Sequence, residues 1–250
     1  MSGAGCMRLE LLHIKKSFTG PGSTGKQVLK DIRLTVSSGD CIGITGPSGT
    51  GKTTLGLILT GLLRPDRGQV RVNHSDFWSA SGKERRAMGS RLQMVFQHPE
   101  SSFDPRWTMQ QSLAEPFRLN GIRPDISVLK TCLERVGLDA SMLFRHPHQL
   151  SGGELQRIAI ARIMVLEPRV VVLDEPTAML DVITQARIMS LLDQFHRENT
   201  TAYVLISHDL NLIQGFCNRI YRLENGQLLD EAPIWREPTR PGRSLGLPGL

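Results

Sequence analysis

Runs of apolar positions recur along the chain, and most of them predict β-strands. The predicted strands span Arg8–Ile14, Gln27–Val36, Cys41–Thr45, Gln69–Val72, Leu92–Phe96, Val170–Leu173, Ala202–Ile206 and Arg219–Glu224. Within them, Val170–Leu173 and Tyr203–Ile206 are apolar throughout, without the alternation of a half-exposed strand. Continuous apolar runs are typical of parallel strands that are buried on both faces.

Helical spacing of apolar residues appears between these strands. The pattern predicts helices over Lys52–Thr60, Glu154–Leu166 and Val182–Arg197. Because strands and helices alternate along the chain, the sequence predicts an α/β fold with a largely parallel sheet.

The middle and the end of the chain follow different patterns. Met109–His148 has no strand pattern and includes helical stretches such as Val128–Val136, so we expect a helical subdomain at about residues 99–160, inserted in one domain that spans residues 7–231. Residues 232–250 are rich in Pro, Gly and Arg, which predicts a flexible tail.

Composition narrows the class of protein. With 40% hydrophobic and 22% charged residues, the 250-residue chain is neither disordered nor fibrous. The longest uncharged apolar stretch, Thr53–Leu63, is shorter than the roughly 18–20 residues that cross a bilayer, and Met1–Cys6 shows no secretory signal. We therefore expect a soluble protein.

The net charge of +6 would suit nucleic acid, an anionic membrane or a phosphate ligand, or would require no partner at all.

The first motif with chemical meaning is a glycine-rich loop between a predicted strand and a predicted helix. It reads Gly46, Pro47, Ser48, Gly49, Thr50, Gly51, Lys52, Thr53 and then Thr54. Glycines let successive backbone N–H groups face phosphate oxygens. The Lys52 ammonium suits the β- and γ-phosphates of a nucleotide, and the Thr53 hydroxyl suits Mg²⁺. The loop predicts a site for ATP and Mg²⁺.

Two acids at the end of an apolar strand form the second motif. Asp174 and Glu175 follow Val170–Leu173, where a parallel sheet binds its ligands. We expect Asp174 to belong to the Mg²⁺ shell, and Glu175 to act as the general base that polarises the attacking water.

A third motif precedes these acids and opens a helix: Leu150, Ser151, Gly152, Gly153, Glu154. Ser151 suits a helix cap, and the glycines allow an anion to approach the positive helix end. Taken with the two other motifs, this segment resembles the signature of ATP-binding-cassette (ABC) ATPases. The sequence has Glu154 where that family most often has Gln, and Met179 at a position usually filled by a small residue.

The resemblance covers residues 7–231 and implies roles for further residues. Gln97 matches the Q-loop glutamine, which joins the Mg²⁺ shell, Asp181 the D-loop aspartate, and His208 the switch histidine that meets the γ-phosphate. Phe18 stands where the family stacks an aromatic ring on adenine, although core packing is an alternative for this residue.

The resemblance also implies an architecture and an assembly. The fold would be that of a P-loop NTPase, with a mixed sheet core, an N-terminal antiparallel β subdomain and an inserted helical subdomain. Two cassettes, this chain and a non-identical paralogue or a second copy, would clamp ATP, with Ser151, Gly152, Gly153 and Glu154 reaching the ATP of the partner. ATP hydrolysis would then drive transport.

Residues around the Q-loop and ahead of the signature resemble the dipeptide, oligopeptide and nickel importer group of that family. These residues are Phe96–Arg106 and Arg145–Leu150. Two later segments are similar to importers of nickel or chelated metals: Gly215–Arg219 and Asn225–Gln227. This likeness implies two separate permease subunits, an extracytoplasmic binding protein, and a peripheral place on the cytoplasmic face of the bacterial inner membrane. Peptide import is the alternative. A cassette acting on nucleic acid or ribosomes, and one that binds ATP without hydrolysing it, are less favoured, so we expect no nucleic-acid partner.

Overall fold

The computed structural model describes residues 7–19, 26–178 and 180–231. The predicted tail, residues 232–250, lies outside the described residues. So does Met179, which stands where the ABC ATPase family usually has a small residue. The strands are β1 (Arg8–Phe18), β2 (Lys26–Ser37), β3 (Cys41–Thr45), β4 (Arg67–Val72), β5 (Ser75–Asp76), β6 (Leu92–Val95), β7 (Val170–Asp174), β8 (Ala202–Ile206), β9 (Arg219–Glu224) and β10 (Gln227–Glu231). The helices are α1 (Lys52–Leu59), α2 (Gly82–Gly89), α3 (Met109–Leu119), α4 (Ile126–Arg135), α5 (Gly152–Met164), α6 (Val182–Asn199) and α7 (Leu210–Phe216), with short 3₁₀ helices at Pro99–Ser102, Ala140–Phe144 and Pro147–Gln149.

The strands form two sheets. The smaller sheet has the order β2-β1-β4-β5 and is antiparallel. The larger sheet has the order β10-β9-β3-β8-β7-β6. Its strands β9, β3, β8, β7 and β6 are parallel, and only β10 pairs antiparallel, through its hairpin with β9. Consequently the carboxyl ends of the parallel strands share one edge.

The larger sheet is covered on both faces. Along β7, Val170 and Val172 belong to a hydrophobic cluster with α1 and the smaller sheet. Val171 and Leu173 belong to a second cluster, which contains residues of α3, α4, α5 and α6. Every residue of β3, β7 and β8 is buried. This double burial explains why their sequences are continuously apolar.

Between β6 and β7 the chain forms helices only. Residues 96–169, all of them described, contain α3, α4, α5 and the three 3₁₀ helices. Buried residues of α3 and α4, such as Leu113 and Leu133, share one hydrophobic cluster with Ile158 of α5. The signature segment therefore begins a helix that joins this helical region to the sheet.

Several elements have no apolar pattern that would predict them. Helix α2 has no buried residue, and α7 has only seven residues with Ile213 buried. Strand β5 has two residues, and β10 has no buried residue and lies at the sheet edge. Such elements are held by backbone hydrogen bonds and capping, which a hydrophobic pattern does not reveal.

No helix among the described residues is both long enough and apolar enough to span a bilayer.

Leu59 of α1 tests the contribution of the core beneath the larger sheet, because its side chain is fully buried. We expect Leu59→Ala to lower the free energy of unfolding by about 2–5 kcal/mol, through lost burial and the cavity left behind. The corresponding fall in Tm, measured by differential scanning calorimetry, is about 4–20 °C for a domain of this size. Leu62→Ala is the matched control, since Leu62 is 60% exposed, and should change stability by less than about 0.5 kcal/mol. Equal effects of the two substitutions would contradict this assignment of the core.

Candidate functional site

The carboxyl ends of four parallel strands surround one pocket. Gly46 follows β3, Gln97 lies two residues after β6, Glu175 follows β7, and His208 lies two residues after β8. The pocket has a volume of about 470 Å³ and is lined by Phe18, Val28, Gly46, Ser48, Gly49, Gly51, Lys52, Thr53, Thr54, Gln97, Asp174, Glu175 and His208. Residues from distant parts of the chain meet here because adjacent parallel strands end at the same edge.

Glycines are required in the loop between β3 and α1. Gly46, Gly49 and Gly51 have φ values of 141°, 75° and 104°, which other residues rarely adopt. A Cβ atom on Gly46 would lie 2.3 Å from the Leu223 carbonyl oxygen, and one on Gly51 would lie 2.4 Å from Val28 Cγ1. The loop therefore keeps its shape only with glycine at these positions.

Lys52 and the start of α1 make this loop electropositive. The Lys52 Nζ atom donates to the carbonyl oxygens of Gly46 and Pro47, at 2.8 and 2.9 Å, which holds the ammonium group over the loop. Thr50 also donates its hydroxyl to Pro47 O, at 2.9 Å. Helix α1 has no side-chain cap and no acid in its first turn. Its positive end thus favours an anion, as expected of a phosphate-binding loop.

Asp174 is a buried carboxyl group at the floor of the pocket, with 3% of its surface exposed. Burial raises its pKa above the usual range, and the nearby charge of Glu175 acts in the same direction. A hydrogen bond from the Thr53 side chain and the positive charge of Lys52 oppose this rise in the pKa. The structure therefore places Asp174 beside Thr53 and Lys52, as the motifs predict.

Glu175 and His208 form a side-chain pair in the same pocket. His208 Nδ1 lies 2.9 Å from Glu175 Oε2 and 3.0 Å from Oε1. Glu175 has a φ of 48°, and its backbone N–H donates to the Ile206 carbonyl oxygen at 2.9 Å, which anchors it to β8. The Glu175 side chain is 13% exposed and that of His208 is 76% exposed. The pair suits the tautomer of His208 in which Nδ1–H donates to the carboxylate, because a carboxylate oxygen is an acceptor.

Two residues expected from the family resemblance also line the pocket. Gln97 is exposed there. Phe18 is 46% exposed, and Lys16 Nζ lies 5.6 Å from the centre of its ring. The alternative of core packing for Phe18 is therefore wrong. Val28, in β2, lines the pocket as well; the sequence offers no signal for it, because an apolar residue in a strand ordinarily indicates core.

The signature residues and Asp181 lie apart from this pocket, since none of them lines it. Ser151 caps α5: its Oγ accepts from the Glu154 N–H at 3.3 Å, and its own N–H and hydroxyl donate to Glu154 Oε2 at 2.7 and 2.8 Å. The hydrogen bond from the Ser151 backbone lowers the pKa of Glu154. Glu154 thus closes a capping box, for which an acid at the first turn is well suited.

Asp181 caps the next helix, α6, close to the signature. Its carboxylate accepts from the backbone N–H and the hydroxyl of Thr184, at 2.9 and 2.7 Å. A Cβ atom on Gly153 would lie 2.7 Å from Thr184 Cγ2, so the two segments pack closely. Ser151 and Gly152 are exposed. The signature residues and Asp181 therefore form a second group, which is separate from the residues that line the pocket.

Comparisons with known proteins identify this arrangement. The model of the family described as ABC transporter matches residues 29–178. The nickel import ATP-binding protein NikE of Pseudomonas putida is 41% identical over 211 residues, which are 83% of this chain and 77% of that protein. NikE of Escherichia coli K12 is 34% identical over 92% of this chain and 89% of its own length. The putative oligopeptide transport ATP-binding protein YkfD of Bacillus subtilis is 32% identical over 93% and 73%.

Solved structures agree. A dimeric post-hydrolysis state of the ATP-binding cassette MJ0796, bound to ADP and Pi, matches with a TM-score of 0.80 and 27% identity over 91% of this chain and 99% of that chain. The protein cbiO1 of Clostridium perfringens, part of an ABC transporter complex, matches with a TM-score of 0.73 and 27% identity over 88% and 86%.

The chain therefore belongs to the ABC transporter family, as one of its ATP-binding and ATP-hydrolysing subunits. The predicted P-loop ATPase fold is confirmed. The resemblance to the dipeptide, oligopeptide and nickel importer group is confirmed as well, because nickel and oligopeptide import relatives are both among the matches.

The raised pKa of Asp174 predicts a cost to stability. Because its pKa is higher in the folded chain than in the unfolded one, the ionised carboxylate destabilises the fold once the pH exceeds the raised value, and this cost disappears as the pH falls. We expect Asp174→Asn to raise the Tm of the nucleotide-free chain near neutral pH, by about 2–4 °C for each kcal/mol relieved. The difference should shrink towards pH 4 in scanning calorimetry.

Asp230→Asn serves as the control, since Asp230 is exposed and should leave the Tm unchanged. A lower Tm for Asp174→Asn near neutral pH would contradict the assignment of a destabilising buried charge.

Proposed function

We propose that the pocket at the sheet edge binds ATP with Mg²⁺ and hydrolyses it. One observation carries this proposal: the electropositive loop around Lys52, the buried Asp174 and the Glu175–His208 pair line a single pocket. The loop amides and the Lys52 ammonium bind phosphate oxygens, and Phe18, exposed at the pocket wall, stacks on the adenine ring.

The side chains available for Mg²⁺ are oxygen donors, which this hard cation prefers. Thr53, Asp174 and Gln97 would hold it, and the hydrogen bond between the Thr53 side chain and Asp174 already brings two of the three together. When bound, Mg²⁺ neutralises charge that develops on the phosphates during transfer. The raised pKa of Asp174 supports this fit, since a buried carboxylate without a cation is costly.

Glu175 acts as the general base in this proposal. It accepts a proton from the attacking water, and the His208 Nδ1–H bond holds its carboxylate in place. The other ring nitrogen of His208, Nε2, is then left to face the γ-phosphate. The anchoring of Glu175 to the Ile206 carbonyl fixes the backbone from which the carboxylate reaches.

The signature residues act on the ATP of a partner cassette. Ser151 and Gly152 are exposed and lie outside this chain's own pocket, so an ATP molecule reaches both sets only between two cassettes. The partner is a non-identical paralogue or a second copy. Asp181 belongs with the signature residues, because it caps α6 through Thr184, whose side chain packs against Gly153. The dimeric state of the similar cassette MJ0796 supports this arrangement.

Glu175→Gln tests the base. The amide cannot take a proton, so we expect ATP binding to persist while turnover falls by at least about 100-fold. The ATP-bound dimer should accumulate in size-exclusion chromatography. Glu134→Gln, on the exposed face of α4, is the matched control and should hydrolyse ATP at the native rate. Turnover of Glu175→Gln near the native rate would exclude Glu175 as the base.

The work of this ATPase is import, through two separate permease subunits that receive substrate from an extracytoplasmic binding protein. The chain would lie on the cytoplasmic face of the bacterial inner membrane, as a peripheral subunit. Nickel or a chelated metal is the favoured substrate because nickel import proteins recur among the relatives. Peptide import is the second candidate, supported by the oligopeptide relative. The cassette itself carries no substrate site in this proposal.

Affinity purification of the tagged chain from gently solubilised membranes tests the transport proposal. We expect two permeases and a second cassette to be recovered, identified by mass spectrometry. The binding protein that accompanies them is then titrated with Ni²⁺, a nickel chelate and a short peptide, and its preference distinguishes metal from peptide import. Recovery of ribosomes or DNA-repair proteins without a permease would overturn transport and leave the ATPase standing.

A further inference from the structure

A second pocket lies at the far end of α1 from the phosphate loop. Its volume is about 660 Å³. Gly61, just beyond the end of α1, contributes to its wall, so the length of an eight-residue helix, about 12 Å, separates it from the ATP pocket. The two pockets share no lining residue. This second pocket is called here the basic pocket because of four of its lining residues, Arg64, Lys83, Arg85 and Arg86.

The charges of the basic pocket are not neutralised by the chain. No acidic residue lines it, and none of its four cationic side chains forms an ion pair within the described ranges 7–19, 26–178 and 180–231. The neighbouring carboxylates have other partners. Glu84 is bound by Ser81, Asp66 by Lys16, and Asp76 accepts the backbone N–H of Trp78. A net positive concavity of this kind attracts anions.

Two of the four cationic side chains lie against the indole ring of Trp78. The guanidinium carbons of Arg64 and Arg85 lie 5.8 and 5.9 Å from the centre of its ring. Each contact is favourable alone, but two like charges held by one indole repel each other. An anion between or beside them would relieve that repulsion.

The indole of Trp78 also carries a polar group without a partner. Its Nε1 atom is buried and has no hydrogen-bond partner among the described residues. Buried N–H groups are ordinarily satisfied, so an unsatisfied one in a residue that lines the pocket is an unusual feature of this region. Gly82 and Lys83, also in the wall, begin helix α2, whose first turn is already capped by Ser81 and Glu84.

We propose that the basic pocket binds a phosphate group, carried by a soluble phosphate or by the headgroup of an anionic lipid. Guanidinium groups bind phosphate oxygens strongly, and Arg64 and Arg85 both lie against the ring of Trp78 in the wall of this pocket. The volume exceeds that of a lone phosphate, so the ligand has room for a further group. This site is separate from the ATP pocket and does not depend on the function proposed for it.

Titration with inorganic phosphate tests the soluble source. The ATP pocket is first saturated with Mg²⁺ and the non-hydrolysable β,γ-imido analogue of ATP, so that phosphate cannot bind there. Isothermal titration calorimetry then compares the native chain with the Arg64→Gln/Arg85→Gln variant. The control is Arg118→Gln/Arg123→Gln, which removes the same charge from two exposed arginines elsewhere. We expect phosphate to bind the native and control proteins alike, and the pocket variant about tenfold more weakly or worse.

Co-sedimentation with vesicles tests the lipid source. Vesicles of phosphatidylglycerol should bind the native and control chains about tenfold more tightly than the pocket variant, and phosphatidylcholine vesicles should bind none of them. A selective loss in either assay supports the site and identifies its source. Equal losses for the two double variants, or no binding of either probe by the native chain, would overturn it. Unchanged affinity for the ATP analogue verifies that the variants are folded.

Discussion

The whole arrangement depends on burying a parallel sheet on both faces. Strands β3, β7 and β8 have no exposed position along their length, because helices or the smaller sheet cover each side. Polar and charged groups are therefore excluded from the strands and are collected at their ends. Since the strands are parallel and adjacent, those ends meet at one edge, and the loops that follow them supply the groups of the ATP pocket.

Electrostatic compensation then explains the composition of that pocket. Burial of the Asp174 carboxylate is unfavourable, and its pKa is raised for that reason. The positive charge of the nearby Lys52 partly opposes the rise in the pKa. The uncapped start of α1 leaves positive potential where a nucleotide's phosphates would lie. Asp174, Glu175 and Lys52 thus line one small pocket. A bound nucleotide with Mg²⁺ would complete the balance of charge there.

The same fold leaves two groups of residues facing outward. Ser151, Gly152 and Asp181 are exposed near the start of α5 and α6, and they are the residues proposed to contact another cassette. The basic pocket lies at the other end of α1, where four cationic residues line the wall and two of them lie against the ring of Trp78. Helix α1 therefore separates a site for nucleotide phosphates from a second positive surface, and the two share no lining residue.

Much of the site was predictable because its chemistry is local. The loop from Gly46 to Thr54 needs its glycines for backbone geometry, as the φ values of Gly46 and Gly51 demonstrate, so its spacing in the sequence already reflects its shape. Asp174 and Glu175 were recognisable from the apolar strand before them. Elements without an apolar pattern, such as α2 and β10, were not, because capping and edge pairing leave no hydrophobic signal.

The sequence by itself determined the family, the ATPase chemistry and the strands of the buried sheet, since these follow from short motifs and local apolar runs. The tertiary structure alone decided that Val28 lines the ATP pocket, that Phe18 lies outside the core, that His208 pairs with Glu175, and that Arg64 and Arg85 both lie against Trp78. These contacts join residues far apart along the chain or on different elements. Their distances are set by how the sheets and helices pack, and no local pattern in the sequence encodes that packing.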